Sequence, residues 1–103
     1  MQPNFAIPLG MCYTDTVERR QKMSWYVYML RCGDDSLYTG CTDDVERRVK
    51  THQSGKGAKY TRSRLPVTLA YQEECADKIE AQKREWAIKQ LTKSQKEALC
   101  RGQ

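Results

Sequence analysis

A chain of 103 residues with 18 Lys and Arg, 13 Asp and Glu, a net charge of +5 and 39% hydrophobic content reads as one soluble globular domain with a single modest core. No apolar run is long enough to span a membrane, and the amino-terminal stretch lacks the basic leader and apolar centre of an export signal. The five cysteines, Cys12, Cys32, Cys41, Cys75 and Cys100, are scattered and form no CxxC pair, which points to reduced thiols in a cytoplasmic protein.

Residues 1–23 contain Pro3, Pro8 and Gly10, with no sustained periodicity. They are expected to form a loose extension to a folded unit over 24–103. "SWYVYMLRC" is aromatic and β-favouring, "GDDS" supplies turn residues, and "LYTGC" reads as the second strand of an antiparallel hairpin. "TDDVERRVKTHQSG" then reads as a helix capped by Asp43, with Glu46 three residues on and Val45 and Val49 as its buried stripe. After a basic loop, "KGAKYTRSR", Pro66 opens a third strand in which Val67, Leu69 and Tyr71 alternate. Residues 76–91 read as a helix with Ile79, Trp86, Ala87 and Leu91 available for burial, and Thr92 or Ser94 caps a last short helix. The order ββαβαα predicts an α+β (α/β) domain: a small three-stranded antiparallel sheet flanked by helices.

Charge is unevenly spread. From Arg47 to Gln72 there is no acid, while Arg47, Arg48, Lys50, Lys56, Lys59, Arg62 and Arg64 accumulate. A single-sign block within a folded domain suits a polyanion, and nucleic acid is the leading class because Lys and Arg displace counterions from phosphates. A basic surface kept for solubility is the plainer explanation.

Arg48 and His52 stand four apart on the first helix and share a face. That helix begins just after the strand holding Tyr38, and the hairpin brings Tyr28 close to both. This set suits phosphodiester cleavage: arginine offers phosphate a rigid donor fork, while tyrosine and histidine carry protons. A carboxylate holding a divalent cation would complete it, with Glu80 and Glu85 as candidates. Each residue also has an ordinary structural role open to it, as strand aromatic, helix-surface histidine or ion-pair partner of Asp44. A zinc site from Cys32, Cys41 and His52 lacks a fourth ligand at a recognisable spacing.

Taken in order, Tyr26-Val27-Tyr28 resembles the first half of the GIY-YIG nuclease signature and Tyr38-Thr39-Gly40 the second. In that family an invariant arginine follows the second tyrosine by ten positions, which is Arg48 here, with a histidine or tyrosine one turn later, matching His52. "EAQKREWAIKQ" resembles the helix carrying the family's metal-binding glutamate and favours Glu85 over Glu80. The resemblance spans about residues 24–100 and is strongest to the small stand-alone YhbQ-like branch, itself similar to the nuclease domain of structure-specific endonucleases. Two motif positions depart, YVY for GIY and YTG for YIG. A late asparagine found in some members has no counterpart, since Asn4 is the only asparagine.

The resemblance implies metal-dependent hydrolysis of DNA phosphodiesters, in DNA repair or processing, with Mg²⁺ or Mn²⁺ held by Glu85. Tyr28 would activate water with help from His52, or His52 would be the base and Tyr28 a positioning group. Tyr38 would contact phosphate and Arg48 would offset its charge. As base, Tyr28 would have to be acidified by Arg48 and the metal. Arg47, Lys50, Lys56, Lys59, Arg62 and Arg64 would track the backbone, and Tyr60 would stack on an unpaired base. RNA is not excluded as a substrate, and a protein partner could supply specificity. The rivals are a non-catalytic nucleic-acid-binding module and a domain that recruits a partner.

Overall fold

β1 (Trp25–Arg31) is the middle strand of a three-stranded sheet ordered β2-β1-β3, antiparallel throughout, with β2 at Leu37–Thr42 and β3 at Thr68–Cys75. The computed structural model describes residues 24–102; the extension expected over 1–23 lies outside the described residues. Val27, Tyr28, Met29 and Leu30 are all buried although neighbouring side chains point to opposite faces. A continuous buried run means that both faces of the strand are covered.

Val27 and Met29 pack with Leu37, Ala81 and Ile88, beneath α3 (Lys78–Lys89) and α4 (Lys93–Cys100). Tyr28 and Leu30 pack with Val67, Tyr38 and Val49, beneath α1 (Val45–Gln53). A one-turn helix, α2 (Lys59–Arg62), follows α1. This is the expected ββαβαα α+β domain, with α2 as an addition inside the basic loop.

Several local expectations need correcting. Asp44, not Asp43, caps α1 by accepting from the Arg47 amide, a one-residue shift that leaves the capping chemistry unchanged. Val45 and Val49 are only half-buried, and His52 is the residue of α1 that is fully enclosed. In β3 the register shifts between Met29 and Leu30, so Met29 faces Tyr71 and Leu30 faces Leu69. That irregularity ends the simple alternation: Tyr71 packs against the core under α3, while Leu69 lies on the other face and is exposed.

On α3, Ile79 and Trp86 are exposed by 65% and 67%, and Ala81 and Ile88 are buried in their place. Small Ala81 lets the helix approach the sheet, and Arg84 beside that stripe reaches Glu73 on β3 at 3.1 Å. Thr92 caps α4 in a full capping box with Gln95. Glu97 binds the Arg31 guanidinium through two hydrogen bonds, tying α4 to the central strand. Those bonds, and a further one from Lys93, hold the Glu97 carboxyl down at about 2.

Candidate active site

Cross-strand pairing of Tyr28 with Gly40 places the phenol directly over a residue without a side chain. A Cβ at Gly40 would lie 2.6 Å from the Tyr28 hydroxyl, so the close approach depends on glycine there. The hydroxyl meets His52 Nε2 at 3.0 Å, in a pair that is 1% and 0% exposed. His52 Nδ1 meets Thr61 Oγ1 on α2 at 2.8 Å. Gly57 lets the intervening loop close on the ring, since a Cβ there would fall 2.3 Å from Nδ1.

Tyr38 lies against His52 with ring centroids 5.2 Å apart, and Tyr60 lies against Tyr38 at 5.9 Å. The Arg64 guanidinium lies over the Tyr60 ring at 3.8 Å, and Asp34 holds it at 3.0 Å. Stacking of a base on the face that Arg64 covers requires Arg64 to leave.

Burial dominates the protonation chemistry. It pushes the Tyr28 phenol up to about 12, against a smaller opposing effect of the Arg48 guanidinium. The expected acidification of Tyr28 does not arise from Arg48, because desolvation outweighs one nearby positive charge. His52 is lowered from its usual 6.5, by burial first and then by Arg48, so the ring is neutral at pH 7.

A stability consequence follows from the sign. Between the lowered folded value and 6.5 the unfolded chain binds the proton and the folded chain does not, so stability is complete above pH 6.5 and declines as pH falls. Thermal melts should show Tm dropping from pH 7 to about 5, with a slope of at most about 1.4 kcal/mol per pH unit. A His52→Gln variant should be flat across that window. An equally steep decline in the variant would remove His52 as its source.

Glu85 projects from α3 toward Cys41 on β2, where burial first and then the Glu85 carboxylate push the thiol up to about 11. Cys41 neighbours Gly40 and so points to the face opposite Tyr28 and His52. The Glu85 carboxylate is 20% exposed and pairs with Lys89 at 2.8 Å. Glu85 and the tyrosine–histidine cluster are thus separated by edge strand β2. A hollow of about 340 Å³, lined by Trp25, Cys41, Thr42, Arg47, Arg48 and Thr51, spans that edge. Cys41 and Thr42 point to opposite faces, so a hollow touching both wraps around the end of the strand and joins the Arg48 side to the Cys41 side.

A larger hollow of about 540 Å³ between α1 and β3 has Asp43, Asp44 and Glu46 among its lining residues and lies away from Tyr28 and His52. Its acidic lining is unsuited to phosphate.

Beside Cys41 a divalent cation would find one carboxylate, that of Glu85. Among the described residues no group of three His, Cys, Asp or Glu side chains converges. A single carboxylate already serving an ammonium fits Mg²⁺ or Mn²⁺, ions that keep most of their water and take few protein ligands. Cys32 and Cys41 lie on opposite faces of the sheet, and both His52 nitrogens are engaged.

The basic residues divide into two groups. Arg47 lies 3.8 Å from Asp43 and 3.7 Å from Asp44, and Lys50 lies 3.8 Å from Glu46; with Arg64 on Asp34, three cations of the acid-free block have partners from outside it. Lys56, Lys59 and Arg62 are exposed and, among the described residues, pair with no carboxylate. Sequence reasoning missed Gly57 and Thr61 because both meet His52 only through the fold of the loop after α1. Lys89 was legible as a residue four after Glu85 on one helix.

Residues 24–98 match the family model of the GIY-YIG catalytic domain. A UPF0213 protein of Desulfotalea psychrophila is 52% identical over 80 residues, 77% of this chain and 73% of that protein. One of Halobacterium salinarum is 55% identical over 74 residues, 72% of this chain and 96% of that protein. The solution NMR structure of a UPF0213 protein from Bacillus halodurans is 51% identical, covers 75% of this chain and 82% of its own, and superposes with a TM-score of 0.48. No described helix is long and apolar enough to cross a membrane. The chain belongs to the GIY-YIG family, whose catalytic domain is of nuclease type, alongside UPF0213 relatives.

Proposed function

We propose that this protein is a metal-dependent endonuclease that hydrolyses DNA phosphodiester bonds, with DNA repair or processing as its setting. The observation that carries this reading is the buried hydrogen bond between Tyr28 and His52, flanked by Tyr38 and beside Arg48. An apolar side chain would fill either place without a partner, whereas enclosing a phenol and a neutral imidazole at 1% and 0% exposure costs free energy that only their mutual hydrogen bond and the Thr61 contact offset.

In this reading the scissile phosphate enters the hollow around the end of β2, where Arg48 and Arg47 offer donor forks to its oxygens. Tyr28 takes the proton of the attacking water and passes its own to His52 Nε2. Moving that proton in the resting protein is uphill, because burial pushes the phenol up to about 12 and lowers the imidazole from its usual value. The phenolate therefore requires positive charge beside it, which Arg48 and a bound cation would supply. Tyr38 screens the imidazole and contacts phosphate. Glu85 holds the Mg²⁺ or Mn²⁺, which would supply positive charge at the phosphate when bound. Lys56, Lys59 and Arg62 track the nucleic-acid backbone.

One observation favours a second reading, a non-catalytic nucleic-acid-binding module: the carboxylate of Glu85 is already neutralised by Lys89. Incubation with plasmid, single-stranded, flap and four-way-junction DNA, and with RNA, separates the two. Cleavage is expected with Mg²⁺ or Mn²⁺ and none with EDTA. Salt-dependent binding without cleavage would establish the module, and no binding at low salt would point to a domain that recruits a protein partner. Lys59→Ala and Arg62→Ala should each weaken binding to all sequences alike and flatten the salt slope by about one, with cleavage at saturating enzyme unchanged.

A further inference from the structure

The distances at His52 do not by themselves say which ring nitrogen carries the proton. Thr61 does. Its hydroxyl has one proton, and Oγ1 lies 3.0 Å from the Ala58 carbonyl, an acceptor only. With its proton directed to that carbonyl, which the Arg62 amide shares through its other lone pair, Oγ1 presents a lone pair to His52 Nδ1 across their 2.8 Å contact, an arrangement that calls for hydrogen on Nδ1. A neutral imidazole has a single N–H, which leaves Nε2 bare to accept from Tyr28 at 3.0 Å. In the opposite tautomer Nε2–H would donate to Tyr28 and the phenol proton would need another acceptor.

We propose that Thr61 is a positioning residue that sets the tautomer of His52, so that the imidazole accepts, rather than donates, at Tyr28. The catalytic consequence rests on the nuclease reading above; the tautomer itself does not. In the step, the Tyr28 O–H bond breaks, an N–H bond forms at Nε2, and the phenolate takes the proton of the attacking water, with no change of oxidation state. The resulting imidazolium keeps its Nδ1–H donated to Thr61. The ring faces Tyr28 from β1, Tyr38 from β2, Arg48 from its own helix and Thr61 from α2, and none of these is a carboxylate. Thr61 is itself 0% exposed, so bulk solvent does not reach its lone pair.

His52 is the chain's only histidine, so long-range ¹H–¹⁵N correlation on the ¹⁵N-labelled full chain, without a histidine tag, reads one imidazole. At pH 7.5 the wild type and Thr61→Ser should show protonated Nδ1 and bare Nε2, while Thr61→Val moves to the Nε2–H form or a mixture. In parallel, Thr61→Val should lower kcat about 10²-fold or more with KM changed less than about threefold, and Thr61→Ser should restore kcat. A merely structural hydroxyl would lower Tm without moving the tautomer. Nε2–H in the wild type, or an unchanged tautomer in folded Thr61→Val, overturns the proposal. Should Thr61→Val not fold, the wild-type and Thr61→Ser spectra decide alone. Protonated Nδ1 in a wild type that cuts no nucleic acid would defeat the nuclease reading and leave the tautomer assignment standing.

Discussion

Tyr28→Phe should cut DNA about 10² to 10⁴ times more slowly than the wild type while binding it equally well. The change removes one oxygen and keeps the ring, which fills the space over Gly40. No cavity larger than a hydroxyl opens, and the strand pairing of β1 is untouched. His52 Nε2 is left buried without a donor, and this should lower stability by about 1 to 3 kcal/mol. Circular dichroism and DNA affinity near wild-type values would show that the lost rate is chemical. If Tyr28→Phe cleaves within a factor of about three of the wild type, the phenol is outside the proton path and His52 alone must serve as base.

Glu85→Ala should abolish cleavage, by about 10²-fold or more, because the carboxylate is the one hard donor on the Cys41 side of the hollow. DNA binding should be retained and grow slightly stronger at low salt. The Lys89 ammonium, now held high by its bond to Glu85, loses that partner and becomes available to phosphate. Electron paramagnetic resonance of added Mn²⁺ supplies a readout apart from activity, with the wild type binding the ion and the variant not. Equal cleavage by wild type and variant would reveal a contaminating nuclease and remove Glu85 as the metal ligand.

These two expectations treat opposite sides of one edge strand, and the reason lies in sheet parity. Tyr38 and Gly40 share a face of β2 with Tyr28's ring above them, while Cys41 turns to α3 and Glu85. In the proposed function one phosphate reaches both groups where β2 ends, at the hollow lined by Cys41, Thr42 and Arg48. The proposed chemistry therefore belongs to an edge rather than to a pit within the sheet. An extended polyanion can lie along such an edge.

The basic face is narrower than its composition implied. Arg47 and Lys50 are matched by the acids one turn earlier on α1, and Arg64 by Asp34 in the hairpin turn. Exposed pairs of this kind are worth about 0.2 to 1 kcal/mol and exchange readily for phosphate. Lys56, Lys59 and Arg62 need no exchange, so nucleic-acid backbone should meet the loop between α1 and β3 first.

Much of this was legible locally. The hairpin, the capped helix after it and the last helix each follow from signals within a few residues of one another: turn acids, an acidic cap that fell at Asp44, one residue after the expected Asp43, and Thr92 as one of two capping candidates. The four-residue spacing of Arg48 and His52 likewise needs only helical geometry. Long-range packing decided the rest. The shift opposite Met29 and Leu30 turned Leu69 outward, and the ion pair of Arg84 with Glu73 sits beside the Ala81 and Ile88 stripe that turns Trp86 to solvent. Burial likewise raised Tyr28 where nearby charge alone would have lowered it, and the loop after α1 carried Thr61 to His52. Spacing along a chain sets which side chains can share a face; desolvation and hydrogen-bond direction arise only when distant segments close around them.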